Sequence, residues 1–297
     1  MATSQLWREC ARGCYLEGLA IDPTTGEIWF SDVIAGGVRS DRHPERVLVP
    51  DRQWIGGLLS NSESTLLVSG SGGIRWLDHR SGASDWLLRC EDVCPLEGIN
   101  EMVADGCGGL YFGSSDLERI IAGEKTRPSA LYYRDPNGRV HCVSDAVAFA
   151  NGMAIDAQRR RLYCNDTFRG TWSFDVGTDG SLSEGRLLFS ESFVDGLALD
   201  ESGTLWVGRI GNGVITRINA EGVLMEGFET GTGGVTQLRF FGVDGEQLAV
   251  TAVEADSART LQRRGALSKE GSRLLTGSSG VRGAVLKYGQ IKLKTAI

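Results

Sequence analysis

The sequence predicts an all-β chain, a six-bladed propeller with four-stranded blades around a central channel, and three observations lead to it. A six-residue pattern returns in register as Glu17-Gly18-Leu19-Ala20-Ile21-Asp22, Gly56-Gly57-Leu58-Leu59-Ser60-Asn61, Asn100-Glu101-Met102-Val103-Ala104-Asp105, Asn151-Gly152-Met153-Ala154-Ile155-Asp156, Asp195-Gly196-Leu197-Ala198-Leu199-Asp200 and Thr236-Gln237-Leu238-Arg239-Phe240-Phe241. The openings at 17, 56, 100, 151, 195 and 236 stand 39, 44, 51, 44 and 41 residues apart, the period of a four-stranded blade. The chain carries 41 glycines against 6 prolines, which suits many tight turns between short strands, and apolar residues at helical spacing are hard to find. A repeat body of this kind reads as one domain over residues 1–297, its ring closed by N- and C-terminal strands.

Each element follows from local composition. Gln5-Leu6-Trp7-Arg8 precedes the first repeat and reads as a strand donated to the last blade. In blade one, residues 19–22 read as a strand, Pro23-Thr24-Thr25-Gly26 as a turn and residues 27–32 as the next strand, with Val38-Arg39 and residues 46–49 after the Gly36-Gly37 turn. The same polar turn followed by an aliphatic and aromatic strand recurs at residues 61–68, 105–113, 156–164, 200–208 and 243–250. Blade three has the longest step, and its excess falls in residues 114–129, a loop with a short helical turn. Such insertions collect on binding faces, and tolerated surface loops look the same. Residues 256–272 read as a charged loop, residues 280–288 as the last strands and residues 292–297 as a tail.

Composition narrows the function. With 38 acidic and 31 basic residues the net charge is −7, so no electrostatic footprint for nucleic acid or an anionic membrane exists, and small molecules or cations are the expected partners. No apolar run reaches the roughly 20 residues of a membrane span, and residues 1–8 lack the pattern of a secretion signal, which makes a cytoplasmic location the expectation. Seven cysteines, with Cys10 and Cys14, and Cys90 and Cys94, closely spaced, find no matching histidine spacing in His43, His79 and His141, so thiols without a zinc site are expected.

The opening residues of equivalent inner strands meet near one mouth of the channel. That ring holds Glu17, Gly56, Asn100, Asn151, Asp195 and Thr236, and two carboxylates with two amides form a hard oxygen set suited to Ca2+, Mg2+ or Mn2+, with Zn2+ where the cavity permits. Without a cation the two carboxylates repel and one tends to keep its proton. Asn151-Gly152 and Asp195-Gly196 also fit simple turns, but Glu17 is a poor turn residue in the same register. No Gly-x-Ser-x-Gly elbow, P-loop or Rossmann fingerprint is present.

At these residues the chain resembles the senescence-marker-protein, gluconolactonase and luciferin-regenerating-enzyme family of six-bladed propellers. Ala130-Leu131-Tyr132 with Pro136-Asn137-Gly138, Asp166-Thr167 and Thr236-Gln237-Leu238 add to the likeness. The resemblance implies a divalent-metal-dependent lactonase acting on a small lactone, with Glu17, Asn151 and Asp195 as metal ligands, Ca2+ the first candidate, and Asp195 also the base. Asn100 is expected to line the site, and Glu101 either contacts a substrate hydroxyl or is an exposed carboxylate. Where sugar lactonases of the family commonly have Arg-x-Asn-Asp-Gly, this chain has Gly98-Ile99-Asn100-Glu101-Met102, which suits a polyhydroxylated lactone less well. Other hydrolysis, such as of organophosphates or esters, condensation chemistry and a non-enzymatic ligand-binding propeller are alternatives on the same scaffold.

Overall fold

Alternating apolar segments broken by turn residues pair as six antiparallel sheets in chain order. The computed structural model describes residues 7–52, 54–93, 97–254 and 270–293. The inner strands are Leu16–Ile21, Ile55–Ser60, Gly98–Ala104, Ala150–Asp156, Val194–Leu199 and Gly234–Phe241. Each packs against the next and the sixth against the first, which closes a six-bladed propeller. The cores lie between blades: Leu131 and Tyr111 of blade three pack with Met153 and Leu162 of blade four, and Leu16 and Phe30 of blade one pack with Ala249 and Leu274 of blade six.

All six inner strands carry a β-bulge at the opening of the repeat. The ladder steps from Leu16 to Leu19, Ile55 to Leu58, Ile99 to Met102, Ala150 to Met153, Val194 to Leu197 and Val235 to Gln237, each against a partner segment one residue shorter. A bulge re-aims side chains and bends its strand, so Glu17, Asn100, Asn151 and Asp195 sit in strands and the turn reading of Asn151-Gly152 and Asp195-Gly196 does not hold. The glycines beside them serve close approach. A Cβ on Gly152 would lie 2.4 Å from Asp195 O, and one on Gly18 would lie 2.3 Å from Gly56 O.

The bulges leave carbonyls off the ladder, and the second strand of the preceding blade takes them. Ser31 Oγ donates to Gly56 O (3.0 Å), Ser69 Oγ to Asn100 O (2.7 Å), Asn165 Nδ2 to Asp195 O (2.8 Å) and Thr251 Oγ1 to Glu17 O (2.9 Å). Buried backbone acceptors are thereby satisfied, and each bond joins two blades.

Several expected elements move. The N-terminal strand does complete blade six, but as Arg8–Gly13 pairing with Ser272–Ser278; Gln5 and Leu6 lie outside the described residues. The last strand is thus Ser272–Ser278, because its ladder to blade six begins at Ser272. Residues 280–288 form no strand. They bond across blades instead, with Gly283 N donating to Gly245 O, Ala284 N to Leu199 O and Tyr288 Oη to Asp22. The strap continues to Ile291, whose N–H and C=O pair with the Asn61 side chain, and to Lys292, whose carbonyl accepts from Arg134. It therefore runs along the blade ends opposite the bulged mouth. In blade one, residues 46–49 contribute only a bridge from Leu48 to Val38. Most of the expected 256–272 loop lies outside the described residues. Among the described residues no helix is long and apolar enough to cross a membrane.

Candidate functional site

The bulged mouth opens into a cavity of about 1080 Å3. Glu17, Asn100, Asn151 and Asp195 line it together, brought from four blades by the shared register. Gly56 and Thr236 do not line it. Gly56 has no side chain, and the Thr236 hydroxyl is turned into the blade interface, donating to Leu16 O at 2.7 Å. The six-membered ring read from the sequence is thus a four-residue floor.

All four side chains are buried, and Asp195 is only 2 % exposed. Asp195 Oδ1 finds no hydrogen-bond partner among the described residues. Burial, then the charges of Glu17 and Glu101, hold the Asp195 carboxyl well above its usual range, opposed by a hydrogen bond from Asn151. Burial, then Glu101, pushes Glu17 up to about 8. Burial and the same two carboxylates, Asp195 and Glu17, raise the Tyr15 hydroxyl on the cavity wall. The Asn151 amide also reaches Thr167 Oγ1 (3.2 Å), and Asn100 commits its nitrogen to Ala150 O (3.2 Å), which leaves its oxygen as the group it offers to the cavity.

Beneath the floor lies a second layer that sequence reasoning missed. Glu101 is 2 % exposed and does not line the cavity, so it is neither placed for a substrate hydroxyl nor an exposed carboxylate. Its Oε2 accepts from Gln237 Nε2 and lies 3.5 Å from Arg239 Nη2, while Oε1 accepts from Met102 N. Arg239 Nη1 also donates to Gln237 Oε1 (2.6 Å) and Leu197 O (3.0 Å). A signal was available: Glu101 and Gln237 stand where the other four copies have glycine, and the absent side chain of Gly57 is what makes room for Glu101 Oε1.

The blade-three insertion forms one wall of the cavity. Its helix Leu117–Ile121 presents Leu117 and Ile120, and the loop after it presents Glu124, Lys125 and Thr126. Arg127 grips Asp116 through Nε (2.8 Å) and Nη2 (2.9 Å), a bidentate pair that ties the two ends of the insertion. His43, His79 and His141 are absent from the lining.

Two buried carboxylates and two amides facing one cavity can hold a hard cation or a proton, and can orient water. Among the described residues no group of three or more His, Cys, Asp or Glu side chains is placed to hold a metal. Any ion here would draw on amide oxygens and water beside the two carboxylates. The donor chemistry and the unpartnered Asp195 oxygen fit that arrangement.

Comparison with known proteins gives the following. A family profile described as the SMP-30/Gluconolactonase/LRE-like region matches residues 16–254. Pentonolactonase XacC of Haloferax volcanii is 27% identical over 164 residues, 53% of this chain and 54% of the relative, so the chain spans about half the length of that protein. The putative sugar lactone lactonase YvrE of Bacillus subtilis is 22% identical over 68% of this chain and 70% of the relative. Among solved structures, a calcium-binding protein, regucalcin, from Agrobacterium tumefaciens has a TM-score of 0.76 at 19% identity, covering 95% of this chain and 97% of its own. A luciferin-regenerating enzyme has a TM-score of 0.77 at 20% identity, covering 98% and 100%.

Proposed function

The chain belongs to the SMP-30/gluconolactonase/LRE-like family, and from that premise we propose that it is a divalent-cation-dependent lactonase that opens a small lactone with water. The observation that carries the reading is the pair of buried, interacting carboxylates, Glu17 and Asp195, on the floor of a cavity, with one Asp195 oxygen left without a partner among the described residues. Two lactonase-named relatives support the reaction class, and the calcium-binding description of a structural neighbour makes Ca2+ the first ion to test.

Glu17, Asp195 and the Asn151 side chain would hold the cation, with Asn100 beside them. When bound, the cation would polarise the lactone carbonyl and acidify the attacking water. Asp195 accepts a proton from that water as it adds to the carbonyl carbon, and returns it to the ring oxygen as the acyl–oxygen bond breaks. The product is one hydroxy acid. With the cation bound, Glu17 would supply a second negative charge on the floor, and Asn100 offers an amide to the substrate or to a bound water. The buried floor keeps bulk water away from both carboxylates, which strengthens their hold on a cation.

Asp195→Asn and Glu17→Gln test the scheme by calcium titration and lactone hydrolysis together. Each is expected to lower kcat by about a hundredfold or more and to weaken calcium binding. Full activity of both variants in EDTA would overturn the reading.

A further inference from the structure

The cavity is far larger than its floor requires. At about 1080 Å3 it lies just above the roughly 300–1,000 Å3 typical of ligand pockets, so a bare lactone ring would fill only a small part of it. Part of the wall around the carboxylates is apolar. Leu117 and Ile120 of the insertion helix line it with Phe149, which packs in one cluster with them, and Phe168 and Phe193 add two more rings.

Two of these rings face solvent at a cost. Phe193 is 59 % exposed and Phe168 is 48 % exposed, although Phe168 still packs on the buried Phe149 with ring centroids 5.7 Å apart. Phe193 also holds a φ of +63°, left-handed backbone that a bulky side chain rarely adopts. It is pinned there from both sides, its N–H donating to Thr167 O (2.6 Å) and its carbonyl accepting from Ile210 N (2.8 Å). Strained backbone held by its surroundings clusters at ligand clamps, and Phe193 stands two residues before Asp195. Polar groups of the same cavity, Glu124, Lys125 and Thr126 of the insertion loop with Thr167 and Asn212, stand beside these apolar groups. The wall cation Arg209 lies 3.5 Å from Glu191.

We propose that the site takes lactones bearing an apolar alkyl or aryl substituent, which packs against Phe193, Phe168 and the insertion helix while the lactone carbonyl reaches the carboxylate floor. This rests on the lactonase reading of the same site.

The test measures kcat/KM in CaCl2 for γ-decalactone, γ-butyrolactone and D-glucono-δ-lactone, with wild type, Phe193→Ala and Phe168→Ala. Wild type is expected to prefer the alkyl lactone over both others, and each alanine variant to lower the decalactone-to-butyrolactone ratio about tenfold. Because the readout is a ratio within one protein, partial loss of folded enzyme cancels. Preference for the glucono-lactone, or an unchanged ratio in both variants, overturns the substituent proposal while leaving lactonase activity intact. If wild type opens none of the three, the lactonase reading fails and the proposal falls with it.

Discussion

Raising the pH should destabilise this protein when no cation is present, and calcium should remove that dependence. Burial and the nearby carboxylate of Glu101 move Glu17 from an ordinary 4.5 to about 8. Between these values the folded chain keeps a proton that the unfolded chain has released, so stability is fully present below about pH 4.5 and is lost as pH rises through about 8. At about 1.4 kcal/mol per pH unit the full span is worth on the order of 5 kcal/mol, and Asp195 acts in the same direction. For a chain of this size that corresponds to roughly 10 °C in Tm. Melting curves from pH 5 to pH 9 in EDTA should therefore fall with pH for wild type more steeply than for Glu17→Gln, which carries no such proton. Adding CaCl2 should raise the wild-type curve most at the high-pH end, where the cation replaces the proton as partner of the carboxylates. If wild type and Glu17→Gln fall in parallel in EDTA, the two carboxylates do not share the floor as described and the reasoning is refuted.

Three further substitutions probe the scaffold of the site. Gly152→Ala would set a Cβ 2.4 Å from Asp195 O and 2.5 Å from Leu197 N, both backbone, so urea denaturation should report a loss of about 3 kcal/mol and calcium titration a weaker site as blades four and five separate. Ser31→Ala removes the hydroxyl that accepts from Gly18 N (2.8 Å) and donates to Gly56 O (3.0 Å) where no water reaches; a loss of about 2–3 kcal/mol is expected by the same assay, and a loss under 0.5 kcal/mol would count against the inter-blade bonds. Asn61→Ala strips both hydrogen bonds from buried Ile291; it should cost about 2 kcal/mol and speed amide exchange in residues 283–292, which a strap held elsewhere would not show.

The fold was readable because six copies of one pattern constrain each other, while the site was readable only in part. Glu17 marked the opening position because it breaks the turn preference that Asn151 and Asp195 satisfy. The cause of its placement, a bulge, was hidden, since a bulge is defined by the length of the partner strand and not by the bulged residues. The same gap explains Glu101: one position past the opening, it reads as a departure from glycine, and only the bulge determines that this position points down the channel toward Gln237 and Arg239. Residues 280–288 misled for a different reason. Val281, Val285, Leu286 and Tyr288 have strand composition, but β-propensity reports fit to a half-buried surface and not a backbone partner; Val285 is exposed and the segment bonds to turns of several blades. The distortion that aims Glu17, Asn100 and Asp195 at the cavity also turns their carbonyls, or those beside them, toward the preceding blade, where Thr251, Ser69 and Asn165 accept the role of donor. Site geometry and ring closure are thus one backbone feature, which is why polar residues interrupt otherwise apolar second strands at Ser31, Ser69, Asn165 and Thr251: each holds the bulged opening of the next blade in place, and in three of the four that opening carries a residue of the cavity floor.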